Sequence, residues 1–192
     1  GAGERLRWAL DALALEVEDP TVEIALLLDG VRAAIETENR ERTEELADRA
    51  SGLVSRTHNP VVEWWTNHIQ ATIAQRDGDH ERAAAFIDAG FRLGSALELP
   101  DARVIRALLR VASAHGQGRL GDLAPRYSSV DSSAAPILRA VAAATAAATG
   151  DRERATIALG WVGDPTALPR NYLWNATVTL ALDAAERIGA PS

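Results

Sequence analysis

Three stretches of this chain carry residue types whose spacing could do chemistry. Gly116-Gln117-Gly118-Arg119-Leu120-Gly121 matches the dinucleotide-binding pattern Gly-x-Gly-x-x-Gly letter for letter. That chemistry needs a strand in front of the glycines and a helix behind them, so that pyrophosphate meets a helix N-terminus. His80-Glu81 opens a zinc-protease pattern, which requires a second histidine four residues on, to put both ligands on one helix face; Ala84 stands there instead. The adjacent Trp64 and Trp65, followed by His68, form an aromatic cluster of the kind enriched where proteins meet partners.

Other chemistry is excluded or unsupported. The chain has no cysteine, and all 20 basic residues are arginine. Thiolate catalysis, cysteine-ligated zinc, a P-loop lysine and a lysine Schiff base are therefore unavailable. The four histidines, His58, His68, His80 and His115, show no metal-ligand spacing and read as surface or cap residues. The 27 acids offer many carboxylate pairs, but most lie in mixed runs such as Glu36 to Glu45, which read as a solvated helix face. Asn175-Ala176-Thr177 is a glycosylation sequon by letters alone. No catalytic, cofactor or metal residue is assigned, and no enzymatic activity is expected.

The elements that position these residues are helical. Apolar residues make up 47% of the chain, charged residues 24% and aromatics 5%, with alanine and leucine dominant. That balance suits helices, because neither residue loses much side-chain entropy there. Val, Ile and Thr are scattered rather than alternating, so no sheet is expected. With no strand before Gly116, the Gly-x-Gly-x-x-Gly stretch reads as a turn between helices. The net charge of −7 and the lack of a basic cluster argue against direct nucleic-acid binding. The alanine-rich stretch Ala134 to Thr149 is too short and too polar to span a bilayer. No signal peptide opens the chain, and a cytoplasmic setting is expected.

A repeat organises the whole. Prolines at 20, 60, 100, 136 and 169 are spaced by 40, 40, 36 and 33 residues, each ahead of a helix-like stretch. Proline suits the first helical turn, and Asp19 and Asn59 supply N-caps directly before it. Between the prolines, Gly78-Asp79-His80-Glu81-Arg82-Ala83 and Gly150-Asp151-Arg152-Glu153-Arg154-Ala155 share five of six letters, 72 residues apart. Gly118 to Leu123 and Asn39 to Thr43 read as worn copies. The expected geometry is a tight turn: a left-handed cap ends one helix, Asp caps the next, and a small residue one turn later lets the helices approach. Ten helices are predicted, near 4–17, 21–37, 41–55, 60–76, 79–97, 101–116, 119–128, 134–148, 151–160 and 170–187. The repeats fall near 20–59, 60–99, 100–135, 136–168 and 169–192 of a single domain, with 3–17 as the last helix of a preceding repeat. Gly1-Ala2 reads as a tag remnant, and the chain as an excised piece of something longer.

These Gly-Asp-x-Glu-Arg-Ala segments, each followed by an apolar residue four on (Ala83 to Ile87, Ala155 to Leu159, and Leu123 to Tyr127 in the worn copy), resemble the second helix of a tetratricopeptide repeat. The first-helix Trp–Leu-Gly–Tyr pattern is not kept, and the period drifts from the standard 34 residues. The looser form is similar to the helical-repeat region of actinobacterial multidomain regulators, in which an ATPase module precedes such repeats, alongside a LuxR-type DNA-binding domain or a nucleotidyl cyclase domain. The passages Arg92 to Leu120 and Leu168 to Gly189 carry this likeness. It implies an all-α, right-handed α-solenoid of about five helix pairs. It also implies a protein-interaction or sensory function without cofactor; the alternatives are a free-standing peptide-binding adaptor and an all-α enzyme. The ATPase, cyclase and DNA-binding motifs are absent from this chain.

In such a superhelix the first helix of each pair lines the concave face. Trp64, His68, Arg106, Arg110, Arg139, Asn171 and Trp174 lie on predicted first helices and form the candidate partner surface; the plainer alternative is that the tryptophans pack between repeats and the arginines are solvated. Trp65 fits the apolar stripe with Val62, Ile69 and Ile73, which leaves Trp64 on the flank. Expected partners are a protein or peptide, the other domains of the parent chain, and a second copy through exposed solenoid ends.

Overall fold

A computed structural model describes residues 1–168 and 174–189, and all regular structure among them is helical. The chain forms two compact units, Gly1–Ser113 and Ala114–Ser192. The first holds α1 (Ala2–Leu13), α2 (Pro20–Glu36), α3 (Arg40–Thr57), α4 (Pro60–Arg76), α5 (His80–Ala96) and most of α6 (Ala102–Gly116). The second holds a 3-10 turn (Leu120–Leu123), α7 (Ala124–Tyr127), α8 (Pro136–Ala148), α9 (Arg152–Val162), a second 3-10 turn (Pro165–Ala167) and α10 (Trp174–Ile188).

The helix starts follow the proline and cap residues. Pro20, Pro60 and Pro136 each open a helix. The Asp19 carboxylate accepts from the Thr21 amide at 2.8 Å and the Asn59 side-chain Oδ1 from the Val61 amide at 2.9 Å, satisfying donors that the helix itself leaves open.

The helix ends share one hydrogen-bond pattern. A residue in the left-handed region follows the helix, and the amide after it reaches back five residues: Asn39 to the Ala34 carbonyl at 2.8 Å, Asp79 to Ala74 at 2.9 Å, Leu99 to Gly94 at 2.9 Å, Arg119 to Ala114 at 2.8 Å and Asp151 to Ala146 at 3.0 Å. Asn39, Asp79 and Asp151 then cap the next helix, each accepting an amide at 3.0 Å. One turn later Thr43, Ala83 and Ala155 are fully buried, where a larger side chain would hold the helices apart. Glu38 and Glu98 occupy the left-handed position that glycine takes at 78, 118 and 150. A Cβ there is strained, and a carboxylate beside a helix C-terminus opposes the dipole. Glu98→Gly is expected to raise stability by about 0.5–1 kcal/mol, read as a higher urea midpoint.

Three helix boundaries differ from expectation. The predicted helix at 119–128 is instead a 3-10 turn followed by the four-residue α7, because Arg119 offers no capping carboxylate and Pro125 lacks an amide. The first helix stops at Leu13 rather than at 17. The free Leu13 carbonyl accepts from both Arg49 terminal nitrogens at 3.2 Å, and the acids Glu16 and Glu18 are unfavourable at a helix C-terminus. The helix after Pro100 begins at Ala102. Pro169 and the expected start at 170 lie outside the described residues.

In the first unit α2 packs on α1, α3 and α4, and α4 packs on α3 and α5. Ile24, Leu27 and Val31 of α2 meet Leu46, Ala50 and Leu53 of α3 and Val62 and Ile69 of α4 in one apolar cluster. One charge is drawn into this region: Glu23, 8% exposed, accepts from Arg49 Nε at 2.9 Å, with Arg56 at 3.9 Å. Arg49→Ala removes both that bond and the cover on the Leu13 carbonyl, and is expected to lose about 2 kcal/mol. Adding Glu23→Gln should recover part of the loss in a double-mutant cycle of urea midpoints. In the second unit α8 packs on α9, α10 and α7, and α9 on α10. The alanines at 140, 142, 143, 144, 146 and 147 of α8 are buried and permit that crowding.

Candidate functional site

The aromatic cluster is a core feature. Trp64 and His68 are each 4% exposed, whereas Trp65 is half-buried. The expectation that Trp64 lies on the flank is thus corrected: both it and His68 face α5, where Gly90 and Gly94 leave the room they need. A Cβ on Gly94 would stand 2.5 Å from Trp64 Nε1, and one on Gly90 would stand 3.2 Å from His68 Nε2. The rings support one another, with centroids 4.4 Å apart for the two indoles and 4.7 Å for Trp64 edge-on to His68. Trp64 Nε1 and His68 Nδ1 are buried without a hydrogen-bond partner. Burial, aided by the nearby Arg32 charge, lowers the His68 pKa to about 4. Neither residue can serve as a docking surface while the helices stay packed.

Arg106 and Arg110 are placed differently. One turn apart on α6, both reach to Asp88 of α5. Asp88 Oδ1 accepts from Arg106 Nε at 3.3 Å, from Arg106 Nη2 at 2.9 Å and from Arg110 Nη2 at 2.9 Å. The Arg106 guanidinium also lies 4.0 Å from the centroid of the Phe91 ring, a cation–π distance. The three charged side chains remain partly open, at 29%, 36% and 45% exposure for Arg106, Arg110 and Asp88. The two arginines hold the Asp88 carboxyl below its ordinary range against the opposing effect of partial burial.

The remaining candidates lie in the second unit. Arg139 of α8 is half-buried and donates to the Trp161 carbonyl of α9, so it ties two helices together. Trp174 begins α10 and is half-buried. Asn171 lies outside the described residues.

The turn at Gly116–Gly121 follows a helix and precedes a 3-10 turn, with Gly118 at φ +67°. No strand stands before it, so the geometry that binds pyrophosphate is missing. A cavity of about 390 Å³ lies beside this turn, lined by Gly121, Pro125, Ser128, Thr145, Thr149 and Arg154 among others. Its hydroxyls bond to main-chain carbonyls: Ser128 to Pro125, Thr145 to Val141 and Thr149 to Ala146. Arg154 donates to the Ser128 carbonyl. These polar groups are bonded to the main chain of α7 and α8 and of the residue that follows α7.

Of the other histidines, His58 is an exposed helix cap and His115 an exposed last-turn residue with Nε2 3.7 Å from Asp183. His80 is half-buried at the start of α5. No three His, Asp or Glu side chains among the described residues are grouped to hold a metal ion, and no described helix is long and apolar enough to cross a membrane.

Sequence reasoning missed Asp88 and Phe91. The signal was present: both phenylalanines of the chain, Phe86 and Phe91, stand on α5, and each lies beneath an arginine. No protein-family model, curated protein or solved structure matches the chain.

Proposed function

We propose that this chain is a protein-interaction repeat domain, a right-handed solenoid of about five tetratricopeptide-like helix pairs. It serves as the sensory or scaffolding segment of a larger bacterial transcriptional or signalling regulator. The recurring helix end carries the reading: the same reach-back bond closes helices at Asn39, Asp79, Leu99, Arg119 and Asp151. A repeated turn is what a chain of like helix pairs requires. Further support comes from α2, which packs on both α3 and α4, and from α8, which packs on both α9 and α10, as when the first helix of one pair meets the first helix of the next. Binding is noncovalent, to a protein or peptide, and uses no cofactor.

The test is the gene on either side of this segment. An upstream ATPase motif, or a downstream helix-turn-helix or cyclase domain, supports the regulator. A short complete reading frame replaces it with a free-standing adaptor. Solution scattering tests the solenoid itself, since a profile of a spherical particle is incompatible with a superhelix.

A further inference from the structure

We infer that the arginine pair with which α6 reaches α5 binds an acidic peptide segment, and that Asp88 is the internal carboxylate which such a segment displaces. The inference rests on the interaction-domain reading and names its partner's chemistry.

The charge distribution points there first. The chain as a whole is at −7, yet α6 carries three arginines, Arg103, Arg106 and Arg110, and no acid. On α6 the arginines at 103, 106 and 110 recur at helical spacing and make one basic stripe. That stripe is the edge which meets α5, because Arg106 and Arg110 are the residues that reach across. Arg92 and Arg103 are exposed nearby on the same two helices.

The contact between the helices is itself suited to exchange. Where α4 and α5 close on glycines, α5 and α6 meet through long side chains: one carboxylate, one phenyl ring and two guanidiniums. Asp88 Oδ1 receives all three donors from the arginines. Two guanidiniums offer ten N–H groups and the pair carries a charge of two, so one carboxylate neutralises only half of it. Phe91 lies against the Arg106 guanidinium, which limits the rotamer freedom that a partner's carboxylate would otherwise have to remove. Carboxylate is the chemistry that two converging guanidiniums select, through charge-assisted and forked hydrogen bonds. A polyphosphate strand fits less well: the surrounding chain is acidic, and the basic stripe is three arginines long.

The experiment uses the full chain and fluorescence anisotropy of a labelled oligoglutamate peptide, with an oligoglutamine peptide and a single-stranded oligonucleotide as comparisons, at low ionic strength. Binding of oligoglutamate is expected and binding of oligoglutamine is not. Arg106→Gln with Arg110→Gln is expected to weaken it about tenfold or more, whereas Arg126→Gln on α7 leaves it unchanged. Asp88→Asn removes the competing charge at constant shape and is expected to tighten binding about threefold. Circular dichroism confirms that each variant keeps its helix content. Equal binding of the two peptides, indifference to the arginine changes, or weaker binding by Asp88→Asn overturns the inference. So does tighter binding of the oligonucleotide. These results would leave the repeat reading standing, because the flanking gene sequence tests that separately.

Discussion

Gly94→Ala lowers the stability of the first unit by about 2–3 kcal/mol, although alanine is the better helix former. The added methyl would stand 2.5 Å from Trp64 Nε1, 3.0 Å from Trp64 Cδ1 and 2.9 Å from the Ala102 Cβ. None of these neighbours yields easily. The indole is 4% exposed and packed against the rings of Trp65 and His68, and Ala102 is held by the first turn of α6. Relief therefore requires α5 to move away from α4, which opens a gap along their whole contact.

Two companion changes separate this effect from helix propensity. Gly90→Ala meets His68 Nε2 at 3.2 Å and Asn67 Cβ at 3.4 Å, a few tenths of an ångström too close, so its loss is smaller. Gly52→Ala on α3 meets only the mobile end of Arg56 at 3.5 Å, and is expected to gain up to about 1 kcal/mol from propensity. Urea midpoints of the three variants should fall in the order Gly52→Ala, Gly90→Ala, Gly94→Ala. Equal midpoints for the Gly94 and Gly52 variants would remove the glycine seam as the cause of the α4–α5 packing.

Acidification to pH 4 removes about 3 kcal/mol through His68 alone. In the folded chain burial lowers its pKa from 6.5 to about 4, with the Arg32 charge acting in the same direction. The unfolded chain takes up a proton near pH 6.5 while the folded chain refuses it until about 4. Stability is therefore full above pH 6.5, falls across the interval, and loses nothing more from this group below pH 4. The carboxylates whose pKa is lowered, Asp19, Asp88, Asp131 and Asp164, act below their ordinary value of 3.8, beneath this window. Denaturation at pH 7 and pH 4.5 measures the slope. His68→Gln is expected to flatten it, and an unchanged slope would place the titrating group elsewhere.

The residues that end one helix and begin the next were legible because their interactions are local. Asp19-Pro20, Asn59-Pro60, Gly78-Asp79 and Gly150-Asp151 each act within five residues of themselves, so their types alone predict what the backbone does. The same locality explains why the Gly-x-Gly-x-x-Gly match at 116–121, with no strand before it, reads from sequence as a turn between helices. It also explains the misread helix at 119–128, where Gly118 gives the turn but Arg119 gives no cap.

Which side of a helix faces inward is a different kind of question. α4 has apolar or small residues nearly all round, with Val62, Trp64, Thr66, His68, Ile69, Ala71 and Ala74 all buried, so its periodicity does not choose between Trp64 and Trp65. The choice is made by Gly90 and Gly94 on α5, which leave space for one indole and one imidazole and for nothing longer on their own side. In the same way Arg106 and Arg110 read from sequence as a solvated pair, until α5 brings Asp88 and Phe91 beneath them. By itself, then, the sequence determined where most helices of this protein lie and how those with a local cap begin or end, since those bonds run between near neighbours. Tertiary structure alone decided that Trp64 rather than Trp65 is the buried indole and that the arginine pair converges on Asp88 and Phe91, since those contacts join residues 15 to 30 positions apart on different helices.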